Sequence, residues 1–119
     1  MSLTAYRRMQ AIAEHPRATE HRLVSEITRE MIEAGKAGLQ GAALMPALHR
    51  NRELWSTFAA ACGARDNALP HALRASLISI ALWVDRYTSE VVAGREPLAA
   101  LVDVNGELLE GLSSVRAAA

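Results

Sequence analysis

Apolar residues along the chain recur at intervals of three and four positions, which is the spacing of one face of an α-helix. The clearest stripe lies between residues 70 and 93, at intervals of four, three, four, three and four. Its members are Leu73, Leu77, Ile80, Val84, Tyr87 and Val91. Additional apolar residues widen this stripe until much of the segment is apolar. We therefore expect a central helix here that other helices cover from several sides.

The same periodicity predicts helices over residues 16–34, 42–62 and 97–112, and a weaker pattern predicts a short helix over 4–14. Pro16, Pro70 and Pro97 stand at the first positions of their segments, where a missing N–H loses no helical partner. Pro46 falls early in the 42–62 segment, so it either kinks that helix or moves its start to this point. No useful length of sequence alternates apolar and polar residues as a β-strand does.

These elements predict the all-α fold class, as a single compact bundle of four to five helices. One domain is expected over residues 1–119, because a chain of this length forms a single core. Within this domain we expect the short N-terminal helix over 4–14, the main bundle over 16–112 and a frayed tail over 113–119.

The charge balance narrows the classes of partner. Thirteen Lys and Arg residues balance thirteen Asp and Glu residues, which argues against nucleic acid or an anionic membrane as a direct partner. The sequence begins with no secretion signal, and its longest apolar run is too short to cross a bilayer. A cytoplasmic location is therefore expected.

Residues that carry enzyme chemistry are scattered. Gly35, Gly38 and Gly41 fit neither a dinucleotide fingerprint nor a P-loop. No two of the four histidines have the spacing of metal ligands on one helix, and the lone cysteine, Cys62, is typical of a small core residue. We expect no catalytic, metal or cofactor-binding residues, no cofactor and no enzyme activity.

Polar residues on apolar faces are more informative. Asn51 and Asn105 each lie within the apolar face of a predicted helix. A buried amide without a partner costs about 1–3 kcal/mol, so each requires one. The partner is either another helix of the same chain or a helix of a second protein. The same two alternatives, core or interface, apply to Trp55 and Trp83.

Several stretches, in the right order, resemble the FlaF family of flagellar biosynthesis proteins from alphaproteobacteria. The most specific are NRELW at 51–55, NALP at 67–70 and LRASLISIALWV at 73–84. VDVN at 102–105 and EGL at 110–112 fit the C-terminal pattern of the family. Tyr6, Pro16, Arg17 and Glu20 fit its N-terminal pattern.

The resemblance implies a small, helical, cytoplasmic protein that promotes flagellin production or export. It also implies that this protein counteracts a second regulator, FlbT, which restrains flagellin translation. It also implies a flagellin-specific secretion chaperone that works by stoichiometric binding of a flagellin helix. Flagellin is then the expected partner and FlbT a possible one, and the free protein is expected to be a monomer or a weak homodimer. The expected partner-binding residues are Asn51, Leu54, Trp55, Phe58, Arg74, Trp83 and Asn105.

Two other functions remain open. The chain is alternatively a homodimeric helical interaction module, or an RNA-binding post-transcriptional regulator of the flagellin message. If the protein is a flagellin chaperone, we expect the weak N-terminal helix over 4–14 to cover the binding groove in the free protein and to move away when flagellin binds.

Overall fold

The computed structural model describes residues 21–64 and 69–118, and these form four α-helices with no β-strand among them. Helix α1 occupies residues 21–36, α2 is Met45–Gly63, α3 is His71–Val92 and α4 is Ala99–Ala118. The predicted all-α bundle is confirmed. The helix predicted over 4–14 and the start of the one predicted over 16–34 lie outside the described residues.

Helices α1 and α2 form an antiparallel hairpin through a short link that contains two glycines with positive φ. Gly38 has φ 72° and Gly41 has φ 57°, values that suit a residue without a Cβ atom. A single turn of 3-10 helix, Gly41–Leu44, leads into α2. Pro46 lies in the first turn of α2 and moves the start of the helix to Met45.

A second turn, between α3 and α4, is also held by specific bonds. Gly94, with φ 78°, ends α3, and the N–H of Arg95 donates to the carbonyl of Glu90 at 2.9 Å. The Tyr87 hydroxyl donates to the carbonyl of Pro97 at 2.8 Å and ties the turn to α3.

Helices α2 and α3 are joined across their outer surface by one arginine. The Arg52 Nη2 donates to the carbonyl of Asp85 at 2.8 Å and to Ser89 Oγ at 2.9 Å. Its Nε lies 3.0 Å from Asp85 Oδ1. These contacts set the position of α3 against α2.

All four helices contribute to the main apolar core. Its largest members are Met31 from α1, Leu48 and Trp55 from α2, Val84, Tyr87 and Val91 from α3, and Leu101 from α4. A smaller cluster of Val24, Ile27 and Leu54 seals the α1–α2 pair beside Leu108 and Leu109.

Two sequence-based expectations are corrected. Helix α3 is covered on one side and not from several, since Leu73 is 39 % exposed and Leu82 is 56 % exposed, whereas Val84, Tyr87 and Val91 are buried. Helix α4 continues to Ala118, six residues beyond its predicted end at Leu112. The helix can continue because the serines and alanines after Leu112 include no helix breaker, and fraying of the tail over 113–119 stays a prediction.

Candidate functional site

A buried hydrogen-bond network lies where α1, α2 and α4 meet, and Asn105 is at its centre. The Trp55 Nε1 donates to Asn105 Oδ1 at 2.9 Å. Asn105 Nδ2 donates to Asn51 Oδ1 at 2.8 Å and to Thr28 Oγ1 at 3.1 Å. Asn51 and Asn105 are fully buried, and Trp55 is 2 % exposed.

The direction of every bond in this network follows from the indole. Because the Trp55 N–H is a donor only, the Asn105 group that faces it must be the oxygen. The Asn105 amide nitrogen then faces Asn51 and Thr28, so both must accept. Thr28 can accept because its own hydroxyl proton goes to the Val24 carbonyl at 2.6 Å. This assignment pairs the indole, both polar groups of Asn105 and the Thr28 hydroxyl, and it leaves the Asn51 Nδ2 without a partner among the described residues.

Four of the expected partner-binding residues are thus interior residues of the described bundle. Asn51, Trp55 and Asn105 belong to the buried network, and Leu54 packs with Val24 and Ile27. Of the two alternatives left open for Trp55, the structure shows the core. A direct contact between these four side chains and a partner would require the bundle to open, so that role stays a prediction.

Phe58 and Trp83 are only partly buried. Phe58 meets the ring of Trp55 edge-on, with ring centroids 5.7 Å apart. Trp83 stacks on Tyr87 with centroids 4.6 Å apart and an angle of 29° between the rings. Each side chain combines a contact with the core and a surface that a partner can reach.

Arg74 lies in an open groove between the end of α2 and the uncovered side of α3, which we call the α3 groove. The groove has a volume of about 400 Å³. Its lining comprises Cys62, Gly63, His71, Arg74, Ala75, Ile78, Ser79 and Leu82. His71, Ala75, Ile78 and Leu82 follow one another at intervals of four, three and four, so they form one face of α3.

The chemistry of the α3 groove is apolar with a positive edge. Arg74 Nη1 donates to the Cys62 carbonyl at 3.5 Å, near the end of α2, where a cation is favourable. Its Nε has no hydrogen-bond partner among the described residues. Burial raises the pKa of the Cys62 thiol, against a smaller opposing effect of Arg74. Cys62 is therefore a neutral thiol at neutral pH.

Sequence analysis missed two contributors to these sites. Thr28 lies on the apolar face of α1, four residues after Val24. A polar threonine on an apolar helix face is the sequence signal that indicates a buried hydrogen-bonding role for Thr28. Leu82 was included in the wide apolar stripe of α3, and no sequence signal separates it from the buried members. The exposure of Leu82 depends on which side of α3 the other helices cover.

The described residues lack two further features, a metal-binding cluster and a membrane-spanning helix. Residues 21–64 and 69–118 contain no group of three or more His, Cys, Asp or Glu side chains placed to hold a metal ion. None of the helices in that part of the chain has both the length and the apolarity needed to cross a membrane.

Comparison with known proteins and protein families identifies the family of the chain. No curated protein and no solved structure matches the chain. The family model described as "Flagellar protein FlaF" matches residues 2–112, which is nearly the whole sequence. The buried Trp55, Asn51 and Asn105 and the α3 groove all lie within this match. The chain therefore belongs to the FlaF family of flagellar proteins.

Proposed function

We propose that this protein is a flagellin-binding secretion chaperone that holds one amphipathic helix of flagellin in the α3 groove. The observation that carries the proposal is the apolar side of α3 that lines this groove, with Ala75 and Leu82 exposed and Ile78 half-buried, in a chain of the FlaF family. By binding flagellin before export, the protein promotes flagellin synthesis and secretion.

The shape of the groove suits a helix. The face from His71 to Leu82 spans 12 residues, or about 16 Å of helix axis between the first and the last. That length matches three turns of a partner helix with apolar anchors at positions i, i+3 or i+4, and i+7. Gly63 and Ala75 are small, so a partner backbone can approach closely at the centre of the groove.

The charges select among amphipathic helices. Arg74 contributes a guanidinium to the lining, and none of the described residues that line the groove is acidic. The Arg74 guanidinium can donate hydrogen bonds to an acidic side chain of the partner at this edge of the groove. The expected flagellin helix therefore carries an aspartate or glutamate beside its apolar face.

Calorimetric titration of the full chain with purified flagellin tests the proposal. We expect a one-to-one complex with wild-type protein. Leu82→Glu places a charge on the most exposed apolar residue of the groove and should weaken binding at least about 30-fold, or about 2 kcal/mol. Circular dichroism should show an unchanged fold, because this side chain is already largely in water.

Ile32→Glu is the matched control, since Ile32 is an exposed apolar residue on a helix and lines none of the described grooves. This variant should bind flagellin like the wild type. Equal losses in the two variants, or no heat with wild-type protein, would contradict the proposal.

Light scattering distinguishes the homodimeric alternative. A free protein that dimerises, and that Leu82→Glu turns into a monomer without loss of flagellin affinity, would assign the α3 groove to self-association. RNA affinity that falls steeply with salt would instead favour a regulator of the flagellin message.

We also propose that the flagellin complex, and not the free protein, opposes FlbT. FlbT titrated against the preformed complex and against the free chain tests this step. Binding or displacement that occurs only with the complex is expected, and identical behaviour of the two samples would contradict it.

A further inference from the structure

A second groove follows the line along which α1 and α2 pack against each other, and we call it the seam groove. It is lined by residues 23–37, in and just after α1, and by residues 43–58, at the start of and within α2. One half, near the link between the helices, has a volume of about 660 Å³, and the other half about 290 Å³.

The two halves belong to one continuous surface. Their lining positions on α1 recur at intervals of three and four from 23 to 37, and those on α2 do so from 43 to 57. The wide half is lined by small side chains, among them the buried Ala34 from α1 and Ala47 from α2. Leu39 stands 41 % exposed at its end.

An ion pair crosses the groove at its midpoint. Arg50 Nη1 donates to Glu30 Oε1, which links α2 to α1. Glu30 lines the wide half and Arg50 lines the narrow half. The pair therefore neutralises both groups and marks the boundary between the two halves.

The remaining charges are unbalanced. Glu26 and Glu33 lie seven residues apart on the α1 wall of the wide half, with Arg29 between them. Neither glutamate forms an ion pair with any residue that the structure describes. Over both halves, four carboxylates face two guanidinium groups. The seam groove thus has an apolar floor and an acidic wall, the reverse of the charge at the α3 groove.

We propose that the seam groove binds a cationic amphipathic helix of a second partner, with Lys or Arg residues facing α1. The lining positions on α1 extend from residue 23 to residue 34, or about 16 Å of helix axis, which accommodates three turns of a partner helix. The apolar side of the partner covers Ala34 and Ala47, and its basic side pairs with Glu26 and Glu33. This surface is separate from the α3 groove, so failure of either proposal leaves the other unaffected.

Two synthetic peptides of about 14 residues provide the probe. Both carry leucines at i, i+3, i+4 and i+7, and one has lysines where the other has glutamates. Fluorescence anisotropy with the full chain at roughly 50 mM salt should show the lysine peptide binding at least about tenfold more tightly. Salt at about 500 mM should reduce this difference, because rim charges are screened.

Charge reversal locates the site. Glu26→Lys with Glu33→Lys should weaken binding of the lysine peptide about tenfold and leave flagellin affinity unchanged. Asp103→Lys with Glu110→Lys is the matched control, since these exposed residues on α4 have the same spacing of seven and line no described groove. The control should bind the lysine peptide like the wild type.

Several results would overturn the proposal. These are equal affinity for the two peptides, equal losses in the two double variants, and a wild-type dimer that dissociates when Glu26 and Glu33 are reversed. Amide hydrogen exchange in α1 and α2 should slow when the lysine peptide binds. Unchanged exchange would also overturn the proposal, because the peptide would then not cover these helices.

Discussion

Replacement of Asn105 by alanine removes three buried hydrogen bonds at once. Asn105 accepts from Trp55 and donates to Asn51 and Thr28, and none of these groups is open to water. At a net value of about 1 kcal/mol for each bond, the direct loss is about 3 kcal/mol. The indole N–H and the Asn51 oxygen also become unpaired, which raises the expected loss of unfolding free energy to about 3–5 kcal/mol.

Urea unfolding, followed by circular dichroism and by tryptophan fluorescence, measures this loss. A domain of this size has a total stability of about 5–15 kcal/mol, so Asn105→Ala should remove a large share of it. With an m value of about 2 kcal/mol per molar urea, the midpoint should fall by about 2 M. The Trp55 emission should change in the folded variant, because its hydrogen-bond acceptor is gone.

Asn105→Leu separates the hydrogen bonds from the cavity. Leucine restores most of the volume but leaves the same donor and acceptor unpaired, so we expect a loss of about 2–4 kcal/mol. Thr57→Ala, which removes an exposed hydroxyl bonded to the Glu53 carbonyl, is the control and should change stability by less than about 0.5 kcal/mol. A loss below about 1 kcal/mol in Asn105→Ala, or a stabilised Asn105→Leu, would refute the reasoning.

Trp55→Ala should cost about 3–5 kcal/mol of unfolding free energy, whereas Trp83→Ala, which removes a partly exposed ring stacked on Tyr87, should cost about half as much. Similar losses in chemical denaturation would contradict their different burial. Burial, assisted by the charge of Glu96, raises the pKa of Tyr87, so the folded state resists loss of its proton. The stability from Tyr87 is therefore present below about pH 10 and is lost as pH rises beyond it. Urea midpoints should show this decline in the wild type but not in Tyr87→Phe, and parallel curves would contradict a raised pKa of Tyr87 in the folded state.

The helical architecture is largely contained in the local sequence. The apolar stripe between residues 70 and 93 and the proline before it locate α3 to within a residue at each end. The position of Pro46 accounts for the start of α2. Helix α4 extends further than predicted because serine and alanine after Leu112 carry neither a stop signal nor an apolar pattern.

The candidate site was less accessible to sequence reasoning. The sequence predicts that Asn51 and Asn105 each need a hydrogen-bond partner. The two residues are 54 positions apart, and no local sequence pattern indicates that they bond to each other. Leu82 and Val84 both fit an apolar face, and one is 56 % exposed while the other is 1 % exposed. Which side of α3 the bundle covers depends on tertiary packing, which periodicity does not encode.

The central amide also restricts how α4 can slide along the bundle. A slip of one helical turn would present Leu101 or Leu109 to the indole of Trp55 in place of Asn105. An aliphatic side chain cannot accept the indole proton, so each slipped register would bury an unpaired donor. An all-leucine seam would tolerate such slips, whereas this chain admits a single alignment of its last helix.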